Sequence, residues 1–139
     1  ESFASDGWFR TGDMFELCGD GDELRFYRFV GRLRQVINRG GMKISPEELD
    51  NALNQMPDVL EGAVAAYRDA VMGERICAVV VPKPGASVTL DTVCAHFEAF
   101  GLARFKWPER LRVIPQLPRN SVGKVLRGEL SRLASTEDG

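Results

Sequence analysis

The residues of this chain whose types and spacing could do chemistry are few, and most of them are cations. Lysine occurs only at Lys43, Lys83, Lys106 and Lys124, so each can be weighed singly. Lys124 lies in PRNSVGKVLRGEL, residues 118–130, behind Gly123 and ahead of a helix-like pattern. A lysine is a compact charge on a flexible stem, suited to an oxygen that gains charge in a transition state. The glycine before it lets a ligand approach the backbone. The stretch is not a phosphate-cradling P-loop, because Pro118 stands where that pattern needs its first glycine. Taken alone, a Gly-Lys pair more often marks a solvated lysine at a turn.

Other candidates have the same double character. Asp13, in RTGD, can accept hydrogen bonds from two neighbouring hydroxyls, as a ribose diol offers, or can simply form a turn. Arg32, Arg34 and Arg39 fall in one short stretch and could grip phosphate through planar forks, or line a solvated connector. NRGGMK, residues 38–43, sets two adjacent glycines just before a helix start, which fits a ligand's close approach or a plain turn. His96, the only histidine, has no acid or cysteine partner in its pattern and reads as structural. Asp20 and Asp22 fall short of a calcium loop, and Trp8 and Trp107 read as packing anchors. No serine or cysteine nucleophile has a base in view.

The elements that must position these residues are legible in outline. At 139 residues, 44% hydrophobic and 27% charged, the chain has the makings of a folded core. A net charge of −2 gives no general drive toward nucleic acid or anionic membrane. Cys18, Cys77 and Cys94 are odd in number and widely spaced, as in a reduced, cytoplasmic chain. No apolar run approaches the ~20 residues of a membrane span, and no signal peptide is visible. The first residue is Glu1, and the expectation is a piece cut from something longer.

GWFRTGDMFEL and LRFYRFVGR, around the turn cluster CGDGDE, predict a β-hairpin that needs a larger sheet for support. GRLRQVINRGG, residues 31–41, reads as a connector and a tight turn. ISPEELDNALNQMP predicts a helix with Ser45 as N-cap, Pro46 in the first turn, Glu48 completing a capping box, and Leu49, Ala52, Leu53 and Met56 on its buried face. VLEGAVAAYRD predicts a strand, and the unbroken run Ile76–Val81 a strand buried on both faces. TLDTVCAHFEAFG predicts a second helix, from Thr89 as N-cap to Gly101, burying Val93, Phe97 and Phe100. ERLRVIPQLP is a short strand, and a last helix carries Leu126, Leu130 and Leu133. The order β-β-α-β-β-α-β-α is an α+β domain behind a hairpin.

In order and spacing, GWFRTGD, GRLRQVINRGGMKISPEELD and LPRNSVGKVLR closely resemble the closing third of the adenylate-forming, acyl-activating superfamily. That family includes acyl-CoA synthetases, aryl-acid activating enzymes, luciferases and the adenylation domains of peptide synthetases. The resemblance covers residues 7–130, including MPDVLEGAVAAYRDAVMGERICAVVVPKPGA between the motifs. It implies a small C-terminal lid domain, a compact sheet flanked by about three helices, preceded by the last hairpin of a large N-terminal domain that holds ATP and the acid. The implied boundaries are 1–31 for the hairpin, 32–37 for a hinge connector and 38–134 for the lid, with 135–139 as a disordered tail.

The resemblance also assigns roles. Asp13 matches the aspartate that binds the ribose hydroxyls, and Arg32 the arginine that also contacts the nucleotide. Arg34 falls at the hinge, where the family usually has aspartate or lysine. Lys124 matches the lysine that bridges acid and phosphate during adenylation. Arg39, Gly40, Gly41, Met42 and Lys43 match the turn that faces the thiol acceptor in the second half-reaction. The implied cofactors are ATP, coenzyme A and Mg2+, the metal bound mainly by the large domain. The implied activity is that of an AMP-forming carboxylic acid–thiol ligase, with domain rotation between adenylation and acyl transfer. The phosphate loop and acid pocket are not in this sequence, so the chain alone is expected to be inactive. INRGGMKISPEE and GLARFKWPERLRV look like aryl-acid or cyclic-acid activating members. Two alternatives stand beside this reading: an enzyme loading a carrier protein's phosphopantetheine arm, and a non-catalytic binding module with the lid fold. Nucleic-acid binding is disfavoured by the net charge and the lack of interleaved aromatics.

Overall fold

The computed structural model describes residues 13–18, 26–32 and 36–136, the first two segments by their backbone. The chain divides into two compact units between Val36 and Ile37. In the first, β1 (Asp13–Cys18) and β2 (Phe26–Arg32) form the antiparallel hairpin expected from their patterns, with an irregularity between Met14 and Phe15.

The second unit contains β3 (Ile37–Arg39), β4 (Met42–Ile44), α1 (Pro46–Asn54), β5 (Val59–Asp69), β6 (Gly73–Pro82), α2 (Leu90–Ala99), a 3₁₀ turn (Arg104–Lys106), β7 (Arg110–Val113) and α3 (Arg127–Ser135). Its five strands run β4-β3-β6-β5, with β7 added parallel to β6. β5 pairs along the whole of β6, so the β3–β4 hairpin and β7 share the opposite edge of that strand. The three α-helices flank the sheet, giving the α+β architecture the patterns predicted.

The run Ile76–Val81 is buried on both faces, as an uninterrupted apolar strand requires. Ile76, Ala78 and Val80 join the core of Leu49, Leu53, Val93 and Phe97 beneath α1 and α2. Cys77, Val79 and Val81 join Ala63, Ala65, Leu130 and Ala134 on the α3 side. Each large apolar side chain sealed in this way contributes about 1.5–3 kcal/mol. α2 is capped by Thr89 and Thr92 in a reciprocal pair, and it closes at Gly101, whose φ of +87° is left-handed. His96 is structural as expected: its Nε2 donates to Ala52 O at 2.8 Å, joining α2 to α1.

Four local expectations are corrected. Residues 37–44 form a strand pair and not only a turn, because three-residue strands are too short for a periodic signal. Ser45 makes no side-chain cap; Glu48, its expected capping-box partner, instead receives Lys106 Nζ at 2.9 and 3.1 Å. Phe100 lies past the end of α2 and is exposed, its ring beside that of His96. Leu126, expected in the last helix, stands just before α3 as its N-cap residue; the helix itself buries Leu130 and Ala134 and leaves Leu133 exposed, because nine residues seat only one narrow stripe on the sheet.

α1 approaches β5 closely at Gly62, whose N–H and C=O are both taken by the Asn54 amide at 2.9 Å. A Cβ there would sit 2.9 Å from Leu53 Cβ. Gly62→Val is therefore expected to lower stability by about 1–3 kcal/mol through overpacking, read as a fall in the denaturant midpoint; an unchanged midpoint would show that α1 can shift freely.

Candidate functional site

The loop before α3 is a built platform. Arg119 and Val125 form an isolated antiparallel bridge, and Leu126 N–H donates to Pro118 O at 2.9 Å. Within that neck Asn120 does most of the shaping. Its backbone N–H donates to Lys124 O at 2.9 Å, and its C=O accepts from Gly123 N–H at 3.0 Å. Its side-chain Oδ1 accepts from the N–H groups of Val122 and Lys124 at 3.0 and 2.9 Å. Gly123 has a φ of +88° and open space around it, so conformation and not room calls for glycine.

Lys124 is thus held by both backbone polar groups, while its side chain is exposed and makes no hydrogen bond or ion pair among the described residues. Arg119 ties the loop down by donating to Gly123 O at 2.8 Å and to Glu61 Oε1 at 2.6 Å. Behind it, Arg127 at the start of α3 pairs with Asp50 of α1 and donates to Val64 O at 3.1 Å. Asp50 Oδ1 in turn accepts from Val64 N–H at 2.8 Å. The result is an exposed cation on a hydrogen-bonded base.

The second candidate segment is the β3–β4 turn. Arg39 and Met42 face each other across it, and Gly40 and Gly41 have φ of +57° and +84°. Two consecutive left-handed residues make the tight hairpin turn that glycine pairs favour. Gly40 lies against Met72, whose C=O accepts its N–H at 2.7 Å; a Cβ on Gly41 would meet nothing. Met42 and Lys43 are exposed. The Arg39 guanidinium turns inward, pairing with Glu109 and donating to Phe105 O at 2.9 Å. It anchors the turn to the body of the domain.

Glu109 also receives Arg75, whose Nε meets Asp69 Oδ2 at 2.7 Å. Hydrogen bonds from the Met72 and Val71 backbones, then Arg75, hold the Asp69 carboxyl below the usual carboxylate range. Bonds to Glu109 and then Asp69 raise Arg75 further.

Asp13 and Arg32 are register partners at the open end of the β1–β2 hairpin, so the fold brings these two candidates together. Arg34 lies outside the described residues. The lysine loop and the glycine turn are not brought together. Glu61, which holds the lysine loop, stands near the start of β5, opposite Val81. The glycine turn docks where β5 gives way to β6, at residues 69–73. Strand rise puts these two ends roughly 25 Å apart.

Sequence reading missed Asn120, Arg119, Glu61, Asp50, Arg127 and Glu109. Asn120 carried a local signal, an asparagine before a glycine turn; the others act across long stretches of chain and carried none. Among the described residues no group of three His, Cys, Asp or Glu side chains is placed to hold a metal, and no helix is long and apolar enough to cross a membrane.

Residues 48–124 match the model of the AMP-binding enzyme C-terminal domain family. The chain is 44% identical over 124 residues to a Streptomyces salicylyl-CoA synthase / salicylate adenylyltransferase, covering 89% of this chain and 22% of that protein. It is 38% identical over 135 residues to the vibriobactin-specific 2,3-dihydroxybenzoate-AMP ligase of Vibrio cholerae, covering 97% and 24%. Among solved structures, ATP-bound MatB from Rhodopseudomonas palustris superposes with a TM-score of 0.78 at 31% identity, over 95% of this chain and 25% of that one. The o-succinylbenzoate CoA synthetase of Bacillus subtilis, solved with its acyl-adenylate intermediate, gives 0.78 at 30% identity, over 99% and 26%. The chain spans about a quarter of the length of the relatives it matches.

The platform reading of the lysine loop is tested by Asn120→Ala, which removes the acceptor of two backbone donors. Amide exchange across residues 121–125 is expected to speed up about tenfold, with global stability falling by about 1 kcal/mol. Unchanged exchange in the loop would mean that the neck alone holds it.

Proposed function

The chain belongs to the AMP-binding enzyme C-terminal domain family, and on that premise we propose that it is the lid of an AMP-forming carboxylic acid–CoA ligase acting on an aromatic acid. The acid's carboxylate oxygen attacks the α-phosphorus of ATP, the bond to pyrophosphate breaks, and an acyl-adenylate forms. The sulfur of coenzyme A then attacks the acyl carbonyl, AMP leaves with its oxygen, and the thiol proton is lost to the surroundings. ATP, its Mg2+ and the acid are held mainly by a large domain working with this one, so the lid by itself does not turn over.

In the first step two anions must meet and charge spreads over the phosphoryl oxygens. Lys124 neutralises that charge; its backbone is fixed, so only its flexible stem has to find the oxygens. Asp13 accepts the ribose hydroxyls, and Arg32, its register partner, contacts the nucleotide from the neighbouring strand. Arg34 is the hinge. In the second step the Gly40-Gly41 turn, flanked by Arg39, Met42 and Lys43, faces the incoming thiol, and the absence of side chains there leaves room for a narrow arm.

The observation that carries this reading is the separation of the two loops. One rigid sheet holds them at opposite ends of the β5–β6 ladder, so both cannot address the same reacting carbon at once. Rotation of the domain between half-reactions resolves that conflict, a form of conformational gating. The names of the relatives support the substrate class: salicylate, a substituted naphthoate and 2,3-dihydroxybenzoate are all aromatic acids. A phosphopantetheine arm on a carrier protein ends in the same thiol and is the second acceptor to try.

In the full-length protein, Lys124→Ala is expected to slow acyl-adenylate formation, followed by pyrophosphate exchange, about a hundredfold or more. Transfer from preformed adenylate to coenzyme A should stay within about threefold. Equal loss in both half-reactions would remove the lysine's assigned role. Gly41→Val should have the opposite bias, slowing thioester formation at least about tenfold more than adenylation. A variant whose pyrophosphate exchange fell first would overturn the two-face reading.

A further inference from the structure

We propose that Glu109 is a positioning residue for thiol transfer, closing a ring of hydrogen bonds and ion pairs that fixes the Gly40-Gly41 turn. This rests on the reading of that turn as the thiol-acceptor face. The β3–β4 hairpin joins the main sheet through one register pair, Arg39 with Gly73. Ile37 and Ile44 seat the base of the hairpin in the core, but so little ladder leaves its tip, the glycine turn, weakly held by the sheet. Side chains supply the rest of the attachment, beginning with Glu74, which accepts from Asn38 N–H at 2.7 Å.

The ring can be followed atom by atom. Gly40 N–H donates to Met72 O at 2.7 Å. Met72 N–H donates to Asp69 Oδ1 at 2.8 Å, beside Val71 N–H at 2.9 Å. The second oxygen of Asp69 meets Arg75 Nε at 2.7 Å. Arg75 Nη1 donates to Glu109 Oε2 at 2.6 Å. The second oxygen of Glu109 pairs with Arg39, which is covalently joined to Gly40. Each carboxylate carries the circuit from one of its oxygens to the other, so neutralising either one opens it.

Glu109 has the more demanding place. Its side chain and that of Arg39 are only 20% and 17% exposed, and it stands between two guanidiniums. Without the Glu109 charge, Arg75 keeps Asp69 and a solvent-facing side, but the largely buried Arg39 loses its carboxylate and faces a like charge, which is costly. The expected response is for Arg39 to move outward, carrying the glycine turn with it. Phe105 O still holds one nitrogen of Arg39, so the turn loosens without the domain unfolding. The lysine loop, at the other end of β5, shares no partner with the ring.

The test uses the full-length protein with coenzyme A and the aromatic acid that gives the fastest pyrophosphate exchange. Glu109→Gln and Asp69→Asn are each expected to slow transfer from preformed adenylate about tenfold, the loss of one charge-assisted bond, with pyrophosphate exchange within about twofold. Since both open one circuit, the double variant should be no slower than the worse single variant. Hydrogen exchange over residues 38–44 should speed up about tenfold in all three. Parallel loss of adenylation, additive effects in the double variant, or unchanged exchange over 38–44 would each overturn the proposal. If the unaltered protein activates no aromatic acid, the substrate reading fails instead, and the exchange measurement alone decides whether the ring holds the turn.

Discussion

Six consecutive residues of β6, Ile76 to Val81, are buried on both faces of the sheet, and this forces the arrangement of everything around them. A strand with no solvent face has to be covered twice, so α1 and α2 lie on one side and α3 on the other. Both its edges are used as well, by β5 along one and by β7 and β3 along the other. Buried backbone groups need partners, and the strands on both edges supply them along the paired stretches. The ladder is consequently stiff, and stiffness matters because the candidate functional segments hang from its ends.

The core seats the roots of those segments, at Ile37 and Ile44 for the glycine turn and at Leu117 and Val125 for the lysine loop, and polar side chains hold their tips. The lysine loop is shaped by Asn120 and pinned through Arg119 to Glu61 on β5. The start of α3 is pinned through Arg127 and Asp50 to the backbone of Val64. The glycine turn is pinned through Arg39, Glu109, Arg75 and Asp69. In each case a bond reaches a loop from an element distant in sequence, so the loop inherits the rigidity of the sheet. Isolated surface ion pairs contribute little to stability. Their value here is geometric: they fix where a backbone sits.

The two segments use charge in opposite ways. Arg39 and Arg75 are spent inside the domain, matched by Glu109 and Asp69, and hold the backbone of the turn. Lys124 has no such partner among the described residues, so its charge stays available for something outside. A cation that must meet an anionic reaction centre cannot also be satisfied at home. The local pattern of the loop supports that division, since Asn120 and Gly123 satisfy the backbone without using the lysine's ammonium.

The sequence by itself determined the order of the helices and longer strands, though not the short β3–β4 pair, along with the doubly buried strand and the caps of α2, because each rests on local chemistry: apolar runs, a threonine cap, a glycine past the helix end. It also marked Lys124 and the Gly40-Gly41 pair, whose residue types already limit what the backbone can do. It misjudged Glu48 and Phe100, whose fates were decided by what lay opposite them: Lys106 and the edge of the core. Only the tertiary structure decided that Arg39 faces inward, that Glu109 joins two arginines, and that the lysine loop and the glycine turn occupy opposite ends of one ladder. The physical reason is that local propensity acts within a few residues, whereas an ion pair or a strand register joins positions that only the folded chain makes neighbours.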